Sequence, residues 1–220
     1  QLTESKYQIN LVIDHCIWDK ASSQIFREKL ETLLLGTSYG RTKVSPYVSY
    51  IREVQEVTNT LVNNIEIKET ISNAKELIYQ TLERNANKVL RSTEDKLFEL
   101  GPNTFKLYQE SPWQVIEHII KVIVHQNKLA NAKDQSYPVL IVQDERNFMD
   151  GNYAETLGEF LDLVPASVKL HETGTLQNVI QNLQSIKKEE KINFTEAIFE
   201  QSEDIRELFS KVLLVNYQGA

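Results

Sequence analysis

Two short β-branched runs, each ending in an aspartate and followed by a helical pattern, constrain this chain more than any other feature. The first is Ile9, Leu11, Val12 and Ile13 before Asp14; the second is Pro138, Val139, Leu140, Ile141 and Val142 before Asp144. Such apolar runs, with helices after them, match strands buried on both faces of a parallel α/β sheet. In these sheets ligands and metals gather at the carboxyl ends of the strands. Asp14 and Asp144 are thereby expected to share one divalent cation.

The remaining sequence supplies the helices such a sheet needs. Ile25, Phe26, Leu30, Leu33 and Leu34 predict a helix over about 21–35, stopped by Gly36. Residues 43–45 read as a short second strand, and Tyr47, Tyr50, Ile51, Val54, Val57, Thr58 and Leu61 as an amphipathic stripe. Helical spacing continues from about 65 to 100 through Ile71, Ile78, Leu82, Ala86, Val89 and Leu97, and Gly101-Pro102 closes it. Ser111, Pro112 and Gln114 form a helix start with a capping box, leading into the face Ile116, Ile119, Ile120 and Ile123.

After Asp144 the pattern predicts a helix over about 153–163, a strand over 167–170 and a helix over 175–186. The charged run from Lys187 to Lys191 then separates a terminal helical region with Ile198, Phe199, Ile205, Leu208, Phe209 and Val212. The expected fold is α/β, three layers (α/β/α) around a small parallel sheet, with an extended helical arm over about 60–110. Residues 1–190 form the α/β domain and residues 191–220 a C-terminal helical extension.

Composition narrows the function. The net charge of −7 argues against a broadly basic nucleic-acid surface, although a local patch survives it. No apolar stretch approaches the ~18 residues of a membrane span, and residues 1–6 are polar without a signal-peptide core. A single cysteine excludes an internal disulfide and suits a reducing compartment, cytoplasmic or nuclear. The sequon at Asn193 is then accidental.

Two helical glutamates extend the acidic set. Glu53 lies on the flank of the stripe through Tyr50, Val54 and Val57, and Glu117 borders the isoleucine face beside Trp113. Around one crevice, Asp14, Glu53, Glu117 and Asp144 would suit Mg²⁺ or Mn²⁺, which take oxygen ligands. The competing role for each aspartate is to cap the helix that follows it.

The arrangement resembles the PIN-like nuclease fold. Leu11-Val12-Ile13-Asp14 matches that family's acid after the first strand. Val44-Ser45-Pro46-Tyr47-Val48 followed by Arg52-Glu53-Val54 resembles its second acidic motif, with one extra residue between proline and glutamate. Leu140-Ile141-Val142-Gln143-Asp144 with Phe148 resembles its last motif, and Val168-Lys169-Leu170 its closing strand. The departures are Val142 in place of a threonine, and Glu117 as the nearest substitute for the third aspartate. The resemblance covers residues 8 to 186. It implies a metal-dependent endoribonuclease of RNA metabolism, with Asp14 and Asp144 as metal ligands and Glu53 and Glu117 positioning a second ion or the attacking water. The departures favour weakened or lost activity, and suit an inactive PIN-like module that binds RNA or a protein partner. A third reading is an α/β interaction domain unrelated to nucleic acid, in which the aspartates cap helices.

Other groupings are poorer. His15 and Cys16 adjoin in the expected first strand and point to opposite faces. His118 and His125 stand two helical turns apart, about 10 Å at ~1.5 Å per residue, too far to share a metal. His171 precedes Thr173-Gly174-Thr175, a loop able to meet a phosphate. Arg41, Lys43 and Arg52 flank the proposed crevice, and Trp18 and Trp113 read as packing or partner anchors. Glycine-rich nucleotide-binding loops are absent.

Overall fold

The computed structural model describes residues 10–14, 17–37, 43–61, 65–84, 101–130, 135–199 and 212–216. Its helices are α1 (Lys20–Leu34), α2 (Tyr47–Leu61), α3 (Ile65–Arg84), α4 (Pro102–Glu110), α5 (Pro112–Gln126), α6 (Leu176–Glu190) and α7 (Phe194–Phe199). Its strands are β1 (Ser136–Asp144), β2 (Leu161–Lys169) and β3 (Leu213–Val215). The α/β class is as the sequence implies. No described helix is long and apolar enough to cross a membrane.

The sheet is mixed, with the order β2-β1-β3. β1 runs antiparallel to β2, from Ser136 opposite Lys169 to Asp144 opposite Leu161, and parallel to β3. The expected all-parallel sheet is therefore corrected. The apolar run was read properly: Tyr137 to Ile141 are buried without alternation, so both faces of β1 are covered. Helices provide the cover. Ile78 of α3, Ile120 and Val124 of α5, and Leu176, Ile180 and Leu183 of α6 join β1 and β2 in one core. Ile192, Phe194 and Val212, from the stretch expected to be a helical extension, belong to the same core.

The first apolar run behaves differently. Asn10–Asp14 forms no strand, and Leu11, Val12 and Ile13 are exposed. Residues 43–45 also form no strand; Ser45 instead donates its backbone N–H to the Asn152 carbonyl. The cap of α1 is Asp19, whose carboxylate accepts from the Ser22 N–H at 2.7 Å. The capping box expected at Ser111 is not made by side chains, although Pro112 does open α5. Gly101 precedes α4, and Pro102 suits its first helical turn. The expectations at His15, Cys16, Arg41, Ala86, Val89, Leu97, Ile205, Leu208 and Phe209 fall outside the described residues.

The helix expected over 153–163 is a loop that turns into β2. Its apolar residues serve a second, aromatic cluster: Tyr153 and Phe160 pack with Tyr50, Val54 and Met149, and Tyr47 lies against them. Gly158 makes this loop feasible. A Cβ there would run into the Tyr47 ring, and the residue's N–H and C=O both meet Ser22 Oγ, at 2.9 and 2.8 Å.

Candidate functional site

The four acids singled out by sequence are held in four separate sets of partners. Asp14 is exposed in the N-terminal coil, and its carbonyl accepts from the Ile17 N–H. Glu53 binds the Tyr153 hydroxyl at 2.7 Å and the Asp150 N–H. Glu117 is buried: one oxygen pairs with Lys121 at 2.7 Å and the other accepts from Leu176 N–H at 3.0 Å. It therefore serves the first turn of α6, where free N–H groups and the helix dipole favour a carboxylate. Asp144, at the end of β1, accepts from the Arg146 N–H at 2.8 Å and pairs with its guanidinium at 2.9 Å. Among the described residues, no three His, Cys, Asp or Glu side chains gather as a metal requires. Glu117 and Glu53 have their oxygens committed to the chain, so the set does not fit a shared cation.

What the residues do build is a pair of buried charge centres fed by neighbours in sequence, Glu145 and Arg146. In the first, Glu145, Asp162 and Lys187 are completely buried, and Lys187 Nζ pairs with both carboxylates. Asp162 is the better served acid. It also accepts from the N–H groups of Phe194 (3.0 Å) and Thr195 (2.7 Å) and from the Thr195 hydroxyl (2.7 Å). Glu145 has only weaker supplements, Asn193 at 3.0 Å and the Tyr50 hydroxyl at 3.3 Å.

Two carboxylates facing one ammonium leave one negative charge over. Burial, and then the charge of Asp162, push the Glu145 carboxyl up to about 7 against the pull of Lys187. Burial and the same two acids also push the Tyr50 hydroxyl up.

This has a consequence for stability. The folded value lies above the ordinary 4.5, so the folded chain holds the extra proton between the two. The stabilisation is complete below about 4.5 and disappears as pH rises through about 7. Its full size is about 3 kcal/mol. Glu145→Gln, which keeps the shape without the charge, should melt above the parent at pH 8 and level with it at pH 4.5. Urea unfolding at both pH values checks this.

In the second centre Arg146 grips Asp19 bidentately, Nη1 to Oδ2 at 2.7 Å and Nη2 to Oδ1 at 2.9 Å. Nη2 also reaches Ser22 Oγ at 3.1 Å and the Gly158 carbonyl at 3.3 Å, and the guanidinium lies 4.2 Å over the Phe160 ring. Burial opposes ionisation of Asp19. Arg146 and the N–H groups of Ser22 and Phe160 outweigh it and hold the carboxyl below its ordinary range. The outer edge of this centre lines a cleft of about 350 Å³ with Gln24, Glu28, Asn147 and Glu155.

Asp19, Glu145, Arg146, Asp162 and Lys187 all escaped the sequence reading. Asp19 carried a signal, the Asp-x-x-Ser spacing of a helix cap. Lys187 carried another, since it continues the stripe Leu176, Ile180, Leu183 at helical spacing, although the charged run it opens was read as a separator between helical regions.

Two larger openings lie on α5. One, of about 510 Å³, is bounded by Thr104 and Leu107 of α4, Val115, Glu117 and Ile119 of α5, and Gly174. The other, of about 530 Å³, lies further along α5, towards its carboxyl end.

No family profile and no curated protein matches the sequence. Among solved structures, the epimerization domain from the third module of tyrocidine synthetase B is similar over 94% of this chain and 53% of its own. The identity is 13% and the TM-score 0.47. The SgcC5 protein from Streptomyces globisporus is similar over 93% of this chain and 51% of its own, at 12% identity and a TM-score of 0.48. The chain thus spans about half the length of each.

Proposed function

We propose that this chain is a non-hydrolytic α/β binding module whose acids serve the fold, rather than a metal-dependent endoribonuclease. One observation carries the reading: Glu117, the acid that would complete a metal site, is buried with one oxygen on Lys121 and the other on the first N–H of α6. Freeing it for a cation means uncapping that helix and leaving Lys121 without its acid. The described residues before Asp14, 10–13, form no strand, which supports the same view, since a strand ending at Asp14 was to bring it to Asp144. The binding surface is the cavity between α4 and α5, whose volume of about 510 Å³ and largely apolar wall suit a small molecule.

The test is thermal melting with and without millimolar Mn²⁺, alongside incubation with single-stranded RNA. A cation that binds only the folded chain would add ~2.7 kcal/mol at a hundredfold excess over its Kd. The expected result is an unchanged melting temperature and intact RNA. A Mn²⁺-dependent rise that Asp144→Asn abolishes, or RNA cleavage with the same dependence, would restore the nuclease reading.

A further inference from the structure

We infer that the cavity between α4 and α5 takes an uncharged small molecule that carries an amide on an aryl or alkyl body. This rests on that cavity being the binding surface, and adds the class of ligand. α4 is a nine-residue helix with no buried side chain. It packs against α5, and an opening of about 510 Å³ lies along the two. Leu107 of α4 is 43% exposed and Ile119 of α5 is 48% exposed, and both line this opening with Val115. Apolar side chains left uncovered around one concavity are what the apolar body of a ligand covers.

The polar groups of the lining set the chemistry of the head. Thr104, Gln114, His118 and Thr173 stand around the apolar walls, and none of these four side chains is hydrogen-bonded within the described residues. Hydroxyls and a carboxamide each donate and accept. The charges nearby are already met. Glu117, the one acid of the lining, gives one oxygen to Lys121 and the other to the Leu176 N–H. Lys121 in turn is held by Glu117 and by the Glu172 carbonyl. An ammonium or a carboxylate would therefore lose its water without gaining an opposite charge. An amide loses less, and its C=O and N–H match walls that offer donors and acceptors together.

Four probes with one body test this by calorimetric titration of the intact chain at pH 8, above the ordinary range of imidazole. They are 3-phenylpropanamide, 3-phenylpropanoate, 3-phenylpropylammonium and methyl 3-phenylpropanoate. The amide should bind, each ion about tenfold more weakly, and the ester, which accepts without donating, in between. Gln114 and Thr104 are exposed, so Gln114→Leu and Thr104→Val should leave the melting temperature where it is. Each should weaken the amide about fivefold. Gln114→Glu should reverse the order, with the ammonium now tighter than the amide. If an ion binds the parent more tightly than the amide and Gln114→Leu weakens it, the cavity is the binding surface and the class assigned here is wrong. If none of the four binds, or if all of them bind the Gln114 and Thr104 variants as they bind the parent, the cavity is not the binding surface, and the inference falls with it.

Discussion

Lys187→Met should destabilise the chain by about 3–5 kcal/mol at neutral pH, a large share of the ~5–15 kcal/mol typical of a domain. Methionine fits the volume of the lysine stem, so packing on α6 is preserved. What disappears is the cation between Glu145 and Asp162, two buried carboxylates that then face each other alone. The loss should shrink on acidification, because protonating Glu145 removes one of the two charges. The stability gap between parent and variant, read from urea unfolding at pH 5 and pH 8, should therefore widen with pH. A gap independent of pH would mean that lost packing, not stranded charge, sets the cost. Replacing all three residues together with apolar ones of similar size is a different matter. Desolvation and attraction then vanish as a set, and the cost should be far smaller.

How much of this was legible beforehand depended on where each residue's partner lies. β1 was legible because an unbroken run of five apolar residues states its own burial. The stripes of α2 and α5 were legible because their periodicity is local. The run before Asp14 is apolar too, apart from Asn10. Whether it pairs depends on a neighbouring strand, though, and nothing within four residues encodes that neighbour. Residues 153–163 misled for the opposite reason. Their apolar spacing looks helical, but Tyr153 and Phe160 are placed by the rings of α2, and Gly158 by its approach to Ser22 and Tyr47.

The charges followed the same rule. Glu117 was singled out properly as an acid bordering an apolar face, yet its role was set by the first turn of α6, 59 residues away in sequence. Asp19 and Arg146 are 127 residues apart, and neither carries a local sign of the other. A buried ion pair is a property of two distant segments, and a single sequence without its fold shows only the halves. Asp144 illustrates the limit. It stands at the end of a strand, where an acid was expected, and its carboxylate orients Arg146 for Asp19.

Arg146→Met should cost about 3–5 kcal/mol, because Asp19 would remain buried without its cation. Arg146→Lys should recover only part of this. An ammonium cannot match both oxygens of Asp19 while also reaching Asp144, Ser22 and the Gly158 carbonyl, and it lacks the planar face that lies over Phe160. The damage should also be directional. Asp19 caps α1 and accepts from the Phe160 N–H at 3.1 Å, so a misplaced carboxylate loosens both the start of α1 and the turn into β2. Hydrogen exchange in Arg146→Lys should thus quicken at Ser22, Ser23 and Phe160 before it changes at Ile120 or Val124, which lie in the other core. Uniform quickening across both regions would mean that the two cores unfold as one unit and that the Asp19–Arg146 pair is no local clamp.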